Sequence, residues 1–151
     1  MKSDLKDLII KYMPETLSLG KLHCESIGFD ECILSNNSAR FLVFRDREGI
    51  NFSYIKEAKG NLTEYQMGHF LLLRRKVPRF NPVDFQAGEY GEDDGKCVRE
   101  LIWYERALLS TAADILNGDE KWLQDYPWNP IPVAAPTAAL IREIGKGFTP
   151  P

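Results

Sequence analysis

Histidine and cysteine are scarce in this chain, which has two histidines (His23, His69) and three cysteines (Cys24, Cys32, Cys97) in 151 residues. Nucleophilic sites that use a histidine base need it beside a Ser, Cys or Thr. His23 adjoins Cys24, but consecutive residues of a strand face opposite sides of a sheet, so the adjacency works against a shared site. His23, Cys24 and Cys32 also lack the paired short spacings of a structural zinc site. Three irregularly spaced cysteines make no disulfide framework, and an odd number would leave a reactive thiol in an oxidising compartment, so a reduced, cytoplasmic chain is expected. No stretch approaches the roughly 18 apolar residues of a membrane span, and the opening Met1-Lys2-Ser3-Asp4-Leu5-Lys6-Asp7 alternates charge where a signal peptide would turn apolar. Phosphate-cradling glycine patterns are missing too: Gly88, Gly91 and Gly95 stand among carboxylates that would repel phosphate. No cofactor, no metal and no catalytic residue are expected.

What is there is an ordinary amount of core-forming material, with 44% hydrophobic and 27% charged residues, which suits a single domain over residues 1–151. The net charge of −3 argues against nucleic-acid binding, which needs a basic surface to displace the counterions around phosphates. Residues 40–79 hold nine Lys/Arg against four Asp/Glu, a balance of +5, whereas residues 80–125 hold four against eleven, a balance of −7. Such asymmetry can set the polarity of a protein partner and the rate of its arrival.

Periodicity predicts an α+β fold, a small antiparallel sheet of about four strands flanked by N-terminal and C-terminal helices. Leu5, Leu8, Ile9 and Tyr12 recur at helical spacing, with Ser3 or Asp4 as cap and Pro14 as stop. Strands are expected near 20–27, 31–35, 40–46 and 50–56. The clearest hairpin joins Arg40–Asp46 to Ile50–Lys56 through Arg47-Glu48-Gly49, and the alternation on its second arm predicts one buried face and one wet face. Thr63 with Gln66 reads as a capping box and Leu62 with Met67 as a hydrophobic staple, which predicts a helix running to Arg75 or Lys76. Residues 81–97, rich in Pro, Gly and acidic groups, read as a long surface loop. A second helix is expected from Val98 to Leu116, with Leu101, Tyr104, Leu108, Ala112 and Ile115 on its apolar stripe and Asn117-Gly118 as its stop. A short turn through Glu120–Asp125 and a last helix from Thr137 to Ile144 complete the chain.

Trp103, Trp122 and Trp128, with Tyr90, Tyr104 and Tyr126, concentrate aromatic area in the acidic part, a combination that protein-binding hot spots use, although Trp103 and Trp122 are also expected to pack beside the long helix. One enzymatic alternative is present. Asp84, Asp94 and Lys96 resemble the acidic-plus-lysine set of restriction-type nucleases, in which two carboxylates hold Mg²⁺ and the lysine orients water. Glu92-Asp93-Asp94-Gly95 lacks the alternating oxygen ligands and distal Glu of a calcium loop. A small-ligand carrier or adaptor is a further alternative, which an apolar cavity would favour.

The Asp46-Arg47-Glu48-Gly49 hairpin and the string Leu-Asn-Gly-Asp-Glu-Lys-Trp-Leu (116–123), set in the order helix, small sheet, helices, resemble small bacterial immunity proteins of polymorphic and contact-dependent toxin systems over about residues 35–125. The resemblance implies a non-enzymatic cytoplasmic inhibitor that binds a cognate toxin directly, often by setting acidic groups against a basic nuclease. On that basis Glu89, Tyr90, Glu92, Asp93, Asp94, Asp114, Asp119, Glu120 and Asp125 are the expected partner-binding residues.

Overall fold

In the computed structural model, which describes residues 2–79 and 94–146, a single antiparallel sheet runs in chain order through six strands. Helix α1 (Leu5–Tyr12) is capped by Asp4, whose side chain accepts from the backbone N–H of Lys6. Pro14 does not simply stop the chain's helical course, because it occupies the first turn of a second helix, α2 (Pro14–Leu19). There the absent N–H removes nothing, since the first N–H groups of a helix have no partner within it. The sheet follows as β1 (His23–Gly28), β2 (Glu31–Ser35), β3 (Arg40–Asp46), β4 (Gly49–Ala58) and β5 (Asn61–Gln66). Its sixth strand, β6 (Ile131–Pro132), pairs with β5 late in the chain.

The expected hairpin between β3 and β4 is present, with Asp46 opposite Gly49. Asp46 Oδ1 accepts from the N–H groups of Glu48 (2.7 Å) and Gly49 (3.1 Å), and Gly49 takes the positive φ, 134°, that the tight turn requires. Four strands become six because the segment read as a capped helix is β5 instead. Lys59 and Gly60, at φ 53° and 80°, turn the chain back so that Asn61–Gln66 pairs along Ala58–Ser53. Positive φ at both central residues is the hairpin geometry that matches strand twist. Cross-strand pairing over six residues outweighs a capping box, whose two side-chain hydrogen bonds are available only if a helix forms. What remains of the expected helix is the stretch 68–74, α-helical at Gly68 and His69 and π-helical over Phe70–Arg74.

Helix α3 (Gly95–Thr111) begins three residues before the expected Val98, so residues 94–97 of the supposed loop form its cap and first turn, while 81–93 lie outside the described residues. The predicted apolar stripe is buried throughout, but the helix breaks at Ala112 (φ −133°) and resumes as α4 (Ala113–Leu116). A 3₁₀ turn (Lys121–Asp125) and α5 (Ala135–Lys146) complete the order. One sheet face, carrying Cys24, Leu34, Phe41, Val43, Phe52 and Tyr54, packs against α1, α3 and the aromatic residues after α4. The face expected to be wet is partly covered instead, because Ile33, Leu42, Ile55 and Leu62 pack with Ala138 and Ile141 of α5. Among the described residues no helix is long and apolar enough to cross a membrane.

Candidate functional site

Among the described residues, Asp94 lies apart from the other acidic residues singled out from sequence. Glu89, Tyr90, Glu92 and Asp93 lie outside the described residues. Asp94 sits at the N-terminus of α3, where its carboxylate accepts from Ser3 N (3.1 Å) and Ser3 Oγ (2.7 Å). Burial works to raise the Asp94 pKa, but those two bonds and the nearby Arg45 charge outweigh it and hold the carboxyl below its ordinary value. Asp114 lies beyond the far end of α3, a distance of about 25 Å at 1.5 Å per residue. Its two oxygens take Arg75 Nη1 (3.0 Å) and Nη2 (2.8 Å). Glu120 accepts from the Tyr54 hydroxyl at 3.0 Å and pairs with Lys56 at 3.4 Å. Asp119 Oδ1 accepts from Lys121 N at 2.9 Å, just before the 3₁₀ turn. Asp119 and Asp125 are exposed.

The opposed charge blocks of the sequence therefore partly pair with each other at the surface of the domain: Lys56 and Arg75 from the basic block pair with Glu120 and Asp114 from the acidic one. Arg75 also donates to the carbonyl of Thr111, the last residue of α3, and lies over the Phe70 ring at 5.5 Å. Hydrogen bonds from its guanidinium are the leading cause that holds Asp114 below the usual carboxylate range. A depressed folded pKa contributes stability that is complete above the unfolded value, roughly 3.9, and is lost as pH falls through the folded one. Arg75→Ala is expected to cost about 1–2 kcal/mol at neutral pH, and the loss should shrink below pH 4. Urea melts at pH 7 and pH 3 measure it; an equal cost at both would show that the charge pair contributes nothing.

The nuclease alternative is described only in part. Asp94 is engaged by Ser3, Lys96 is exposed on α3, and Asp84 lies outside the described residues. Among the described residues no group of three or more His, Cys, Asp or Glu is placed to hold a metal ion. All three cysteines are free and buried.

A different site emerges where β4 runs past the end of β5. There an open cleft of about 640 Å³ is lined by Ile50, Asn51 and Phe52 of β4, Gln66 of β5, Glu100, Trp103 and Tyr104 of α3, and Tyr126 and Trp128 from the chain after the 3₁₀ turn. His69 and Arg79 also line it, and both are exposed. Tyr104 stacks on Phe52 at 5.1 Å and meets Trp103 edge-on at 5.0 Å, so core packing fixes one wall. On the other wall Tyr126 meets Trp128 edge-on at 5.3 Å, and its hydroxyl donates to the Gln66 carbonyl at 3.0 Å. Trp103 Nε1 donates to the Pro78 carbonyl at 2.8 Å. Trp103 and Trp128 remain half-buried, unlike Trp122, which is 2% exposed and belongs to the core.

Glu100 supplies the only carboxylate among the described residues that line the cleft. Its Oε2 accepts from Ile50 N at 2.7 Å, standing in for the neighbouring strand that β4 lacks there. A β-carbon on Gly49 would fall 2.2 Å from that carboxylate, so the absence of a side chain at Gly49 admits it. Burial holds the Glu100 carboxyl above the usual carboxylate range, against the pull of the Ile50 N–H and the Lys96 charge. The aromatics of the cleft were legible as a concentration in sequence, but Glu100 was not. It reads as an ordinary polar position on a helix, and only the truncated β5 turns it toward a backbone donor.

No protein-family model, curated protein or solved structure matches this chain.

Proposed function

We propose that this chain is a non-enzymatic protein-binding domain of the immunity type, a cytoplasmic inhibitor that binds a cognate bacterial toxin through the aromatic cleft and the carboxylates near it. The observation that carries the reading is the pair of half-buried tryptophans, Trp103 and Trp128, held by packed neighbours on the walls of one open cleft. Interface hot spots are of this kind: aromatic anchors already ordered in the free protein, so little side-chain entropy is lost on binding. Exposed Asp119 and Asp125 are the acidic positions with least structural employment, and they suit long-range attraction of a basic toxin.

The test is whether the coding sequence lies directly downstream of a large secreted toxin and, where it does, co-purification with that toxin's domain. A one-to-one complex is expected, weakened by about 2 kcal/mol in the Trp103→Ala/Trp128→Ala variant. A complex of undiminished affinity in that variant would remove the cleft from the interface, and no complex at all would sink the immunity reading. The cleft volume, about 640 Å³, also lies within the range of small-molecule pockets, roughly 300–1,000 Å³. That supports a second reading, a small-ligand-binding domain, in which a metabolite and not a toxin would occupy the cleft and raise the melting temperature.

A further inference from the structure

We propose that the cleft receives one arginine or lysine side chain of the basic partner, with Trp103 and Trp128 as aromatic walls and the Glu100 carboxylate as counter-charge. The inference rests on the protein-binding reading and specifies the chemistry of the residue that enters. Glu100 uses Oε2 for the Ile50 N–H, and its Oε1 has no hydrogen-bond partner among the described residues. A carboxylate drawn half out of water interacts strongly with an incoming charge, and a guanidinium or ammonium offers charge-assisted donors to the oxygen that no protein group among the described residues engages. The indole rings add the attraction of an aromatic face for a cation, strongest for tryptophan and stronger where water is excluded.

The other charges do not cancel this preference. Arg79 and His69 line the same cleft but are exposed, so solvent and salt screen them, whereas Glu100 acts from a half-buried position. Lys96, an exposed residue, and Arg99 act on Glu100 from its own helix, and Asp46 acts from β3. With Glu100 the lone carboxylate on the lining among the described residues and tryptophan on both sides, an arginine fits better than a neutral chain of the same length.

N-acetyl-arginine amide and N-acetyl-citrulline amide, which differ mainly in charge, are the probes, and the indole N–H resonances of Trp103 and Trp128 are the readout. The arginine compound is expected to bind roughly tenfold tighter than the citrulline compound, with the Trp122 indole unmoved. Glu100→Gln, a near-isosteric change that keeps an acceptor for Ile50 N–H, is expected to abolish the difference. Equal binding of the two compounds to the unaltered protein overturns the inference and leaves the protein-binding reading intact, since a neutral anchor would then serve. No shift of either indole also overturns it, whether or not the toxin complex forms.

Discussion

Trp122→Ala is expected to destabilise the domain by about 3–5 kcal/mol, the cost of removing a large buried aromatic from a core that closes only partly behind it. The indole is 2% exposed. It sits among four rings: Phe70 at 5.0 Å, Tyr54 at 5.4 Å, Tyr126 at 5.9 Å and Tyr65 at 6.2 Å. These come from β4, β5, the π-helical turn and the end of the 3₁₀ turn, so the truncation opens a void at the meeting point of four elements. Against a total stability of about 5–15 kcal/mol, that loss should move the thermal midpoint down by roughly 10 °C or more. Trp122 Nε1 has no hydrogen-bond partner among the described residues. Trp122→Phe removes that unsatisfied donor while keeping most of the ring, so it should cost less than half as much as the alanine change. Denaturant melts of the two variants decide the matter, and equal losses would overturn this account of the site.

Gly118→Ala is expected to cost about 3 kcal/mol, combining left-handed backbone strain with overpacking. Gly118 has φ 81°, and an added β-carbon would lie 2.5 Å from the Ser38 carbonyl oxygen and 2.9 Å from its carbonyl carbon. The obstruction is backbone, which cannot swing aside as a flexible side chain would. The turn it would strike is held by Asn36, whose Oδ1 accepts from Ser38 N (2.8 Å) and Ala39 N (2.7 Å). Asn36 Nδ2 donates to the carbonyls of Gly20 (2.7 Å) and Leu116 (2.8 Å). One amide thus ties the β2–β3 turn to the ends of α2 and α4, and displacing Ser38 would disturb all four bonds. Thermal unfolding of the variant measures the cost. A change below about 1 kcal/mol would mean that the turn yields easily.

The parts of the fold legible in the sequence are those decided by local chemistry. Helical spacing of Leu5, Leu8 and Ile9 with Asp4 before them suffices for α1, and the stripe from Leu101 to Ile115 suffices for the buried face of α3 and α4. Gly49 marks its hairpin because few other residues take its backbone angles. The start of the expected helix is β5 instead: its local signals favour a helix start, while the decisive partner, β4, becomes available only after the Lys59–Gly60 turn has formed; the later part, 68–74, is helical as expected. The same reason hid β6, two residues of which one is Pro132, preceded by Pro130, whose strand character comes from pairing with Thr63 and Glu64.

Charge shows the division most plainly. The sequence by itself determined that basic residues cluster in 40–79 and acidic residues in 80–125, that histidine and cysteine are few, and that aromatic residues gather toward the C-terminal part. Only the tertiary structure decided which of those groups are spent. It joins Arg75 to Asp114 and Lys56 to Glu120, draws Asp94 to Ser3, buries Trp122 while leaving Trp103 and Trp128 at a cleft, and aims Glu100 at Ile50 where β5 stops short. Charge and ring count are properties of composition, but whether a charge is free or paired depends on which residues distant in the chain arrive within a few ångströms of it.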